Sequence, residues 1–585
     1  MVGLAEAGLI TLTSGPGEEY WLFPYAVLSY GFFGMLAGLG YGLVVIVAAR
    51  FSDRLRRNAG GSAAALAVCL LGGAVTRYQV IQRLFHEELV TWSATGVAAH
   101  LGIVAFTGAC AFVVLRAGRV LQRQPRGLLI GAVGLVLCLA LTSSGAVLAS
   151  PHANGHGIVR STAASAKGHP NIVLIIADTL RADAIGVFGA RPGATPGLDR
   201  FAAEAVRFPH TYAQASWTRA SIATIETSLY PSVHGTVHKM DALPDEVTTL
   251  AEALRAAGYW TAGFVSNINV APVFNFQQGF DEYTYLPPDF YFGATDSAAR
   301  LAIYKGLRVV RERFFGDRLY FYHYYQDAQV VTDAVLQWLD QRPPSPFFLL
   351  IHYMDPHDPY FEIPYDGRGV ARVIDPNPAP ERRDELHKLY GEDTKYLDQH
   401  LEQLFARLKS AGQYDDSVIA FTADHGEEFQ EHGGWWHGTT LYEEQVHVPL
   451  IIKRAHEPHT GQVESSIARS LDIAPTVMAG AGLKISPTFQ GVDLFASPPA
   501  ADQPLVAEED FEGNVLASLR LGAWKVITAN SDNPRGLKPV ELYNLLDDGG
   551  ERRDMAGVEP RRVQEMLQQL AQERARIVDA TDGAR

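Results

Sequence analysis

Residues 171–183 read NIVLIIADTLRAD, and this stretch decides the fold class. Its first seven residues are almost all apolar, which is typical of a strand buried on both faces of a sheet. Further short apolar segments predict strands at 259–266, 346–354, 417–424 and 448–453. Helical patterns between them begin at Thr195-Pro196 and include LAEALRAAG, VVTDAVLQWLDQ and a long helix over about 384–412. This alternation predicts an α/β fold with a mostly parallel sheet and helices on both faces.

Acidic and imidazole side chains follow three of these strands. They are Asp178 after the first strand, Asp355 and His357 after the third, and Asp424 and His425 after the fourth. Ligands of such sheets bind beyond the carboxyl ends of the strands. The sequence therefore predicts that these side chains meet at one edge of the sheet.

A threonine in ASWTRASIATIETSLYPSVHG (215–235) adds a hydroxyl to this set. Thr218 opens an apolar helical segment, so it is interpreted either as a helix cap or as a nucleophile. The two interpretations are compatible, because a helix N-terminus favours an anionic oxygen. With Asp178, Asp424 and His425 it forms a candidate site for one or two divalent cations. The nitrogen ligand favours Zn²⁺ or Mn²⁺, with Ca²⁺ as the alternative.

Further candidates surround this set. His357 and His437 are expected either to protonate the leaving group or to complete a second metal site. His234, Lys239 and Asp355 are the weaker candidates, for which substrate binding and a structural role both stay open. The Asp-Pro turn explains Asp355 equally well.

Several motifs carry a family resemblance. NIVLIIADTLRAD, SLYPSVHG, ADHGEEFQEHG, HGTTLYEEQVHVPLII and ELYNLLDDGGERRDMA are similar to segments of the sulfatase family of the alkaline phosphatase superfamily, over about 170–557. The resemblance implies an α/β sandwich around a mostly parallel sheet at 170–500. It also implies a C-terminal subdomain at 501–585, with the hairpin LASLRLGAWKVITAN and a final helix.

The sequence departs from that family at the nucleophile. Sulfatases carry Cys or Ser in a Cys/Ser-x-Pro-x-Arg motif, which is converted to formylglycine. Here Thr218, Ala220 and Ile222 occupy the corresponding positions, and Thr179 replaces the second aspartate of the usual pair. The three cysteines all lie within the first 150 residues: they are Cys69, Cys110 and Cys138.

The threonine version resembles nucleotide pyrophosphatase/phosphodiesterases, lipoteichoic acid synthases and phosphoethanolamine transferases, and His437 also matches the transferases. This resemblance implies phosphodiester chemistry, by hydrolysis or by transfer. A sulfatase that works without formylglycine and a non-catalytic binding protein with the same fold are the alternatives.

Residues 1–150 are expected to cross a membrane. Four apolar segments, at about 22–49, 62–80, 94–115 and 127–149, have the length that a bilayer requires. Arginines crowd the first and third loops between them, which places those loops in the cytoplasm and the chain after residue 150 outside. Residues 151–169 have linker composition.

This arrangement predicts a multi-pass membrane protein whose extracytoplasmic catalytic domain acts on lipid- or envelope-linked esters. A transporter with an appended domain is disfavoured, because the spans hold almost no charge. The net charge of −15 disfavours a nucleic-acid partner.

Overall fold

The computed structural model describes most of the chain, in two units. The described residues are 2–13, 19–48, 73–84, 94–121, 168–315, 321–362, 365, 367–457, 461–500 and 502–582. One unit comprises residues 1–158 with 290–316, and the other comprises residues 159–289 with 317–585. The second unit contains every residue of the predicted site and is called the catalytic unit below.

An eight-stranded sheet forms the centre of the catalytic unit. Its strands, in spatial order, are Gln462–Val463, Val206–Arg207, Leu450–Lys453, Ser417–Ala423, Asn171–Ala177, Phe347–Tyr353, Trp260–Val265 and Glu282–Tyr285. The pairings from Ser417–Ala423 to Glu282–Tyr285 are all parallel. Leu450–Lys453 pairs antiparallel with both of its neighbours. The mostly parallel sheet and its five predicted strands are thus confirmed.

The strand Asn171–Ala177 lies in the middle of this sheet and contributes to two apolar cores. Ile172, Leu174 and Ile176 belong to one core, whereas Val173 and Ile175 belong to the other. Each of these side chains is fully buried. Because successive side chains of a strand point to opposite faces, a continuous apolar run is the sequence that a doubly covered strand requires.

Helices cover both faces of the sheet. The α-helices of this unit that precede its last sheet are Pro196–Ala203, Thr218–Thr227, Pro231–His234, Leu250–Ala256, Ala328–Asp340, Arg383–Ser410, Glu443–Val446 and Ile473–Gly480. Thr249 forms a capping box with Glu252 at the start of Leu250–Ala256. Thr195 stands at the predicted cap of Pro196–Ala203, but its hydroxyl accepts a hydrogen bond from Gly186 N at 2.9 Å instead of capping the helix.

The C-terminal part of the catalytic unit has an antiparallel sheet of its own. Its strands are Leu505–Phe511, Asn514–Leu521, Trp524–Ala529 and Val540–Asn544. The helix Pro560–Asp582 packs on this sheet through Met566, Leu570 and Ile577. The predicted hairpin and final helix are therefore confirmed. Two-residue strands complete the unit: Thr211–Tyr212, His447–Val448 and Ala468–Arg469 form one small sheet, Glu428–Phe429 pairs with Trp435–Trp436, and Tyr360–Phe361 pairs with Gly369–Val370.

The other unit is helical. Its described helices are Val2–Thr13, Glu19–Ala48, Gly73–Leu84, Ala94–Leu121, Asp296–Ala299 and Ala302–Phe315. The last two come from a segment inserted in the catalytic sequence, which sequence analysis did not predict. Within this unit, Glu6 accepts hydrogen bonds from Tyr30 OH and, at 2.9 Å, from Ala302 N.

The structure does not support the four predicted membrane spans. Among the described residues, no helix reaches both the length and the apolar character needed to cross a bilayer. The helix Gly73–Leu84 has only 12 residues, where a span needs about 20. The fourth predicted span, 127–149, most of the second and nearly all of the predicted linker lie outside the described residues.

The buried carboxyl of Glu226 generates a prediction about stability. Its two oxygens have no hydrogen-bond partner among the described residues, and burial raises its pKa to about 8. Because the unfolded chain has a pKa near 4.5, folding favours the protonated form, and stability falls as the pH rises from about 4.5 to about 8. We expect Glu226→Gln to remove up to about 5 kcal/mol of this loss.

Thermal unfolding of the full-length protein between pH 5 and pH 8.5 measures the effect. The Glu226→Gln variant should gain in melting temperature over the wild type as the pH rises. Glu381→Gln, at an exposed position, is the matched control and should follow the wild type. Parallel pH profiles for Glu226→Gln and the wild type would contradict the prediction.

Candidate active site at the carboxyl edge of the central sheet

Two fully buried carboxylates form the centre of the candidate site. Asp178 and Asp424 directly follow the adjacent parallel strands Asn171–Ala177 and Ser417–Ala423. Asp424 Oδ1 accepts hydrogen bonds from Thr179 N at 3.1 Å and His425 N at 2.8 Å. Burial, and then the charge of Asp424, raise the pKa of Asp178 well above its usual range, and burial raises the pKa of Asp424 to about 7. Each carboxyl therefore favours its protonated form unless a positive charge, such as that of a bound cation, stabilises the ionised form.

Thr218 directs its hydroxyl at these carboxylates. It is the first residue of the helix Thr218–Thr227, and the extended residue Trp217 occupies the N-cap. Thr218 Oγ1 lies 3.5 Å from Asp178 Oδ1 and 3.4 Å from His425 Nε2. The structure therefore places Thr218 beside Asp178 and Asp424, which are called the acidic cluster below, and does not give it the role of a helix cap.

His425 faces the same point with its Nε2 atom. Its Nδ1 lies 2.9 Å from the carbonyl of Gly426, which can only accept a hydrogen bond. This partner assigns the proton to Nδ1 and leaves the Nε2 lone pair towards the cluster. His425 Nε2 lies 3.5 Å from Asp424 Oδ2 and 3.8 Å from Asp178 Oδ1. The four predicted metal ligands are thus neighbours in the structure.

The structure adds two residues that sequence analysis missed. Asn267 donates from Nδ2 to Asp178 Oδ2 at 2.6 Å, and its own Oδ1 accepts from Asn269 N. His352 Nε2 lies 3.6 Å from Asp178 Oδ2. The signals were present in the sequence: His352 is the polar residue inside the apolar strand Phe347–Tyr353, and Asn267 closely follows the strand Trp260–Val265.

The donor set fits a divalent cation. Asp178, His352 and Asp424 each offer one atom, and these atoms lie within 4.8 Å of one another. Asp424 Oδ2 and both ring nitrogens of His352 are buried without a hydrogen-bond partner among the described residues. A buried polar atom that is left unpaired costs about 1–3 kcal/mol, and an unpaired charge costs more, so a cation would satisfy what the protein leaves open.

His437 and His357 lie beside this cluster. The ring of His437 is 4.6 Å from that of His425 and 4.9 Å from that of His357. His437 Nδ1 lies 3.0 Å from Glu427 Oε1, and Glu427 in turn accepts from Tyr360 OH at 2.6 Å. Burial lowers the pKa of His437 well below its usual range. Sequence analysis had quoted Glu427 only within a motif and missed its contact with His437.

Two of the weaker candidate residues, His234 and Asp355, have surroundings that differ from those of the acidic cluster. His234 is buried, accepts from Thr236 N at 3.1 Å and lies 3.1 Å from Thr224 Oγ1, so both its nitrogens are used within the fold. These contacts favour the structural alternative for His234, and its role towards the substrate stays a prediction. Asp355 is fully buried, and its pKa is raised well above the usual range by burial and then by Asp327. Within the described residues, no contact joins the Asp355 carboxyl to Thr218 or to the acidic cluster.

Lys239 lies at the edge of the candidate site, which is called the rim below. It is near Phe511, which packs on Trp217, the residue that precedes Thr218. Its ammonium group forms an ion pair with Glu512 and lies 5.1 Å from the ring of Phe511. Phe511 stacks on Trp217 with the ring centroids 4.3 Å apart. A substrate role for Lys239 stays a prediction.

The sequence model of the Sulfatase family matches residues 170–483, which is more than half of the chain. The chain belongs to the sulfatase family. Members of this family are hydrolases of sulfate or phosphate esters and generally bind a divalent metal, so the predicted class of ester-bond hydrolase is confirmed.

Three relatives illustrate the range of the family. The chain is 22% identical to an N-acetylglucosamine-6-O-sulfatase of Bacteroides thetaiotaomicron over 56% of this chain and 70% of that protein. It is 27% identical to the multifunctional alkaline phosphatase superfamily protein PehA of Trinickia caryophylli, over 53% of this chain and 74% of that protein. Its fold resembles the phosphonate monoester hydrolase SpPMH of Silicibacter pomeroyi, with a TM-score of 0.55 and 22% identity over 70% of this chain and 96% of that one.

The contacts of His352 and Asn267 generate a prediction about metal binding. We expect His352→Ala to remove a ligand and Asn267→Ala to weaken affinity about 10- to 100-fold, because Asn267 orients the carboxylate of Asp178. Elemental analysis after dialysis against limiting Zn²⁺ or Mn²⁺ measures both effects. His456→Ala, whose side chain is 64% exposed, is the control. Metal content equal to that of the control would show that neither residue supports the site.

Proposed function

We propose that this protein is a metal-dependent phosphodiester hydrolase or transferase with Thr218 as its nucleophile. The position of Thr218 Oγ1, 3.5 Å from Asp178 and 3.4 Å from His425, is the observation that carries the proposal. A divalent cation held by Asp178, Asp424 and His425, with His352, would favour the ionised hydroxyl and offset charge on the ester.

The neighbouring hydroxyls have other partners. Ser216 donates to Glu509 Oε2 at 2.8 Å, and Ser221 donates to the carbonyl of Asp424. Thr218 is therefore the hydroxyl of this segment that faces the acidic cluster. No cysteine occurs after residue 150, so a formylglycine made from cysteine has no precursor in the catalytic unit. Threonine has a single hydroxyl on its Cβ and cannot form the geminal diol of a hydrated formylglycine.

The surrounding side chains support an in-line displacement at phosphorus. Thr218 Oγ1 donates towards Asp178 Oδ1 at 3.5 Å, so this carboxylate is placed to receive the Thr218 proton, while the Nε2 lone pair of His425 is left for the cation. The N-terminus of the ten-residue helix Thr218–Thr227 presents backbone N–H groups to the non-bridging oxygens of the ester. A covalent Thr218 phosphoester that keeps the second alcohol forms as the P–O bond to the departing alcohol breaks. His437 is oriented by Glu427 and held neutral by its burial, so His357 supplies a proton to the departing alkoxide.

A monoanionic ester fits the charges at the rim better than a dianionic one. Lys239 and Arg372 share the carboxylate of Glu512, Arg372 at 3.1 Å, so both cations are already partly neutralised. A phosphate monoester dianion would need more positive charge than this rim supplies. A phosphodiester and a sulfate ester each carry a single negative charge, and a sulfatase that acts without formylglycine is therefore the second candidate function. The likeness to a named sulfatase favours that candidate.

Substitution of Thr218 tests the proposed nucleophile. Thr218→Ala should lower turnover of a bis-aryl phosphate by at least about 1000-fold, because it removes the attacking oxygen, whereas Thr218→Ser retains a hydroxyl and measurable activity. Rates with matched aryl phosphodiester, phosphate monoester and sulfate substrates give the preference. Intact-mass analysis after incubation with the bis-aryl phosphate should show one aryl-phosphoryl adduct on the wild type and none on Thr218→Ala.

Two results would contradict this proposal. A preference for the aryl sulfate would favour the second candidate, and full activity of Thr218→Ala would exclude Thr218 as the nucleophile. Ser410→Ala removes a hydroxyl at an exposed helix end and is the control for Thr218→Ala. Loss of activity in Ser410→Ala as well would point to general damage to the fold.

We also propose that the catalytic unit acts outside the cytoplasm, near a membrane, on lipid- or envelope-linked phosphodiesters. The apolar segments of residues 1–150 and the arginines between them support this location. Fractionation of cells followed by protease treatment of intact cells or spheroplasts tests it. We expect the protein in the membrane fraction with its catalytic unit digested, and recovery in the soluble cytoplasmic fraction would refute the location.

A further inference from the structure

A second group of metal-type ligands lies outside the candidate active site. It consists of His432, Glu444 and Glu551, whose ligand atoms lie within 4.8 Å of one another. His432 follows the strand Glu428–Phe429, Glu444 belongs to the helix Glu443–Val446, and Glu551 lies beyond the strand Val540–Asn544. The group thus joins three segments of the catalytic unit that are distant in sequence.

Two atoms of the group are buried and unsatisfied. The side chain of Glu444 is 6% exposed and that of His432 is 10% exposed. Glu444 Oε1 and His432 Nε2 lie 3.5 Å apart, and neither has a hydrogen-bond partner among the described residues. Buried polar atoms are almost always paired, so this convergence indicates a missing partner.

The surrounding ion pairs leave Glu444 without a counter-charge. Lys525 Nζ lies 2.9 Å from Glu443 Oε1 and 2.9 Å from Glu551 Oε1. Arg535 pairs with Glu428 at 2.8 Å. In the described part of the chain, no ion pair with a lysine or arginine neutralises Glu444, so the region has room for additional positive charge.

The ligands are held in place by their own contacts. The ring of His432 stacks on Tyr442 with the centroids 3.7 Å apart, and Tyr442 OH donates to Glu541 at 2.7 Å. Glu551 Oε2 accepts from Glu443 N at 2.6 Å, and its Oε1, which faces the group, is shared with Lys525 Nζ at 2.9 Å. Fixed ligand orientations of this kind are typical of metal sites.

We propose that His432, Glu444 and Glu551 bind a second divalent cation, of the Zn²⁺ or Mn²⁺ class. One imidazole and two carboxylates suit these ions better than Ca²⁺, which prefers oxygen ligands alone. Bond lengths of about 2.0–2.2 Å place tetrahedral ligands roughly 3.4 Å apart, close to the 3.5 Å between His432 Nε2 and Glu444 Oε1. Glu444 also lines a cavity of about 330 Å³, which can supply a water as the fourth ligand.

The cation would support the segment that follows Asp424 and His425. Gly426 N donates to Gln445 O and Glu427 N donates to Glu444 O, both at 2.9 Å. A Cβ atom on Gly426 would lie 2.1 Å from Glu444 O, so this approach requires glycine. Fixing Glu444 therefore fixes the backbone against which the active-site segment packs. The site does not depend on the proposed chemistry of Thr218.

Metal content of full-length, tag-free protein tests the second site. The background is the double variant Asp178→Asn/Asp424→Asn, in which the ligands of the active-site cation are weakened. After dialysis against Zn²⁺ and then against buffer, this variant should retain about one equivalent of zinc. Adding Glu444→Gln should remove that equivalent, whereas adding His456→Ala should not.

A spectroscopic and a thermal measurement provide independent readouts. Co²⁺ bound to the double variant should give visible absorption bands that disappear when His432→Gln is added. Zn²⁺ should raise the melting temperature of the double variant by several degrees, and this shift should vanish with Glu444→Gln. If the double variant holds no zinc, or if Glu444→Gln leaves zinc binding and the thermal shift unchanged, the site does not exist and Glu444 is a protonated acid hydrogen-bonded to His432.

Discussion

The placement of two buried carboxylates at one edge of the central sheet is the constraint on which the rest of the structure depends. Asp178 and Asp424 end adjacent parallel strands, so the pairing of those strands fixes their separation before any side chain adjusts. Their burial removes the water that would otherwise offset the charge. Hydrogen bonds from Asn267, Thr179 N and His425 N partly stabilise the two buried carboxylates. The surrounding ligand set also fits a cation, which would offset their charge. Stability and metal binding are therefore linked at this edge of the sheet.

The same edge explains why Thr218 differs from the other threonines of the chain. A hydroxyl at the first position of a helix ordinarily lies at the surface, but Thr218 is 1% exposed and faces the carboxylates. Trp217 occupies the N-cap in an extended conformation and stacks on Phe511, which fixes the direction in which the helix begins. Gly438 allows this packing, because a Cβ atom there would lie 2.7 Å from the Phe511 ring. The packing of Trp217 on Phe511 thus sets the direction of the Thr218 hydroxyl.

Sequence patterns predicted the parts of this arrangement that arise from local chemistry. The apolar run at 171–177 predicted a central strand, and the polar residues at strand ends predicted an acidic cluster with Thr218 and His425 beside it. The patterns mark His352 as a polar residue inside an apolar run, but only the strand register, which places it opposite Ile176, shows that it lies near Asp178. They left His234 open between a substrate contact and a structural role, and its nitrogens lie beside Thr224 and Thr236 in the structure. The surroundings of such residues depend on long-range strand register and on side-chain pairing, and a single sequence shows neither directly.

The C-terminal sheet contributes to the active site as well as to the fold. The turn between Leu505–Phe511 and Asn514–Leu521 carries Glu512 in a left-handed conformation and holds Lys239 and Arg372 at the rim. The strand leading into that turn also brings Phe511 onto Trp217. The charges of Lys239 and Arg372 are thus set by a hairpin that lies outside the residues matched by the family, 170–483. Because the same hairpin carries Phe511, which packs on Trp217 next to Thr218, a change in it would affect both these charges and the position of the proposed nucleophile.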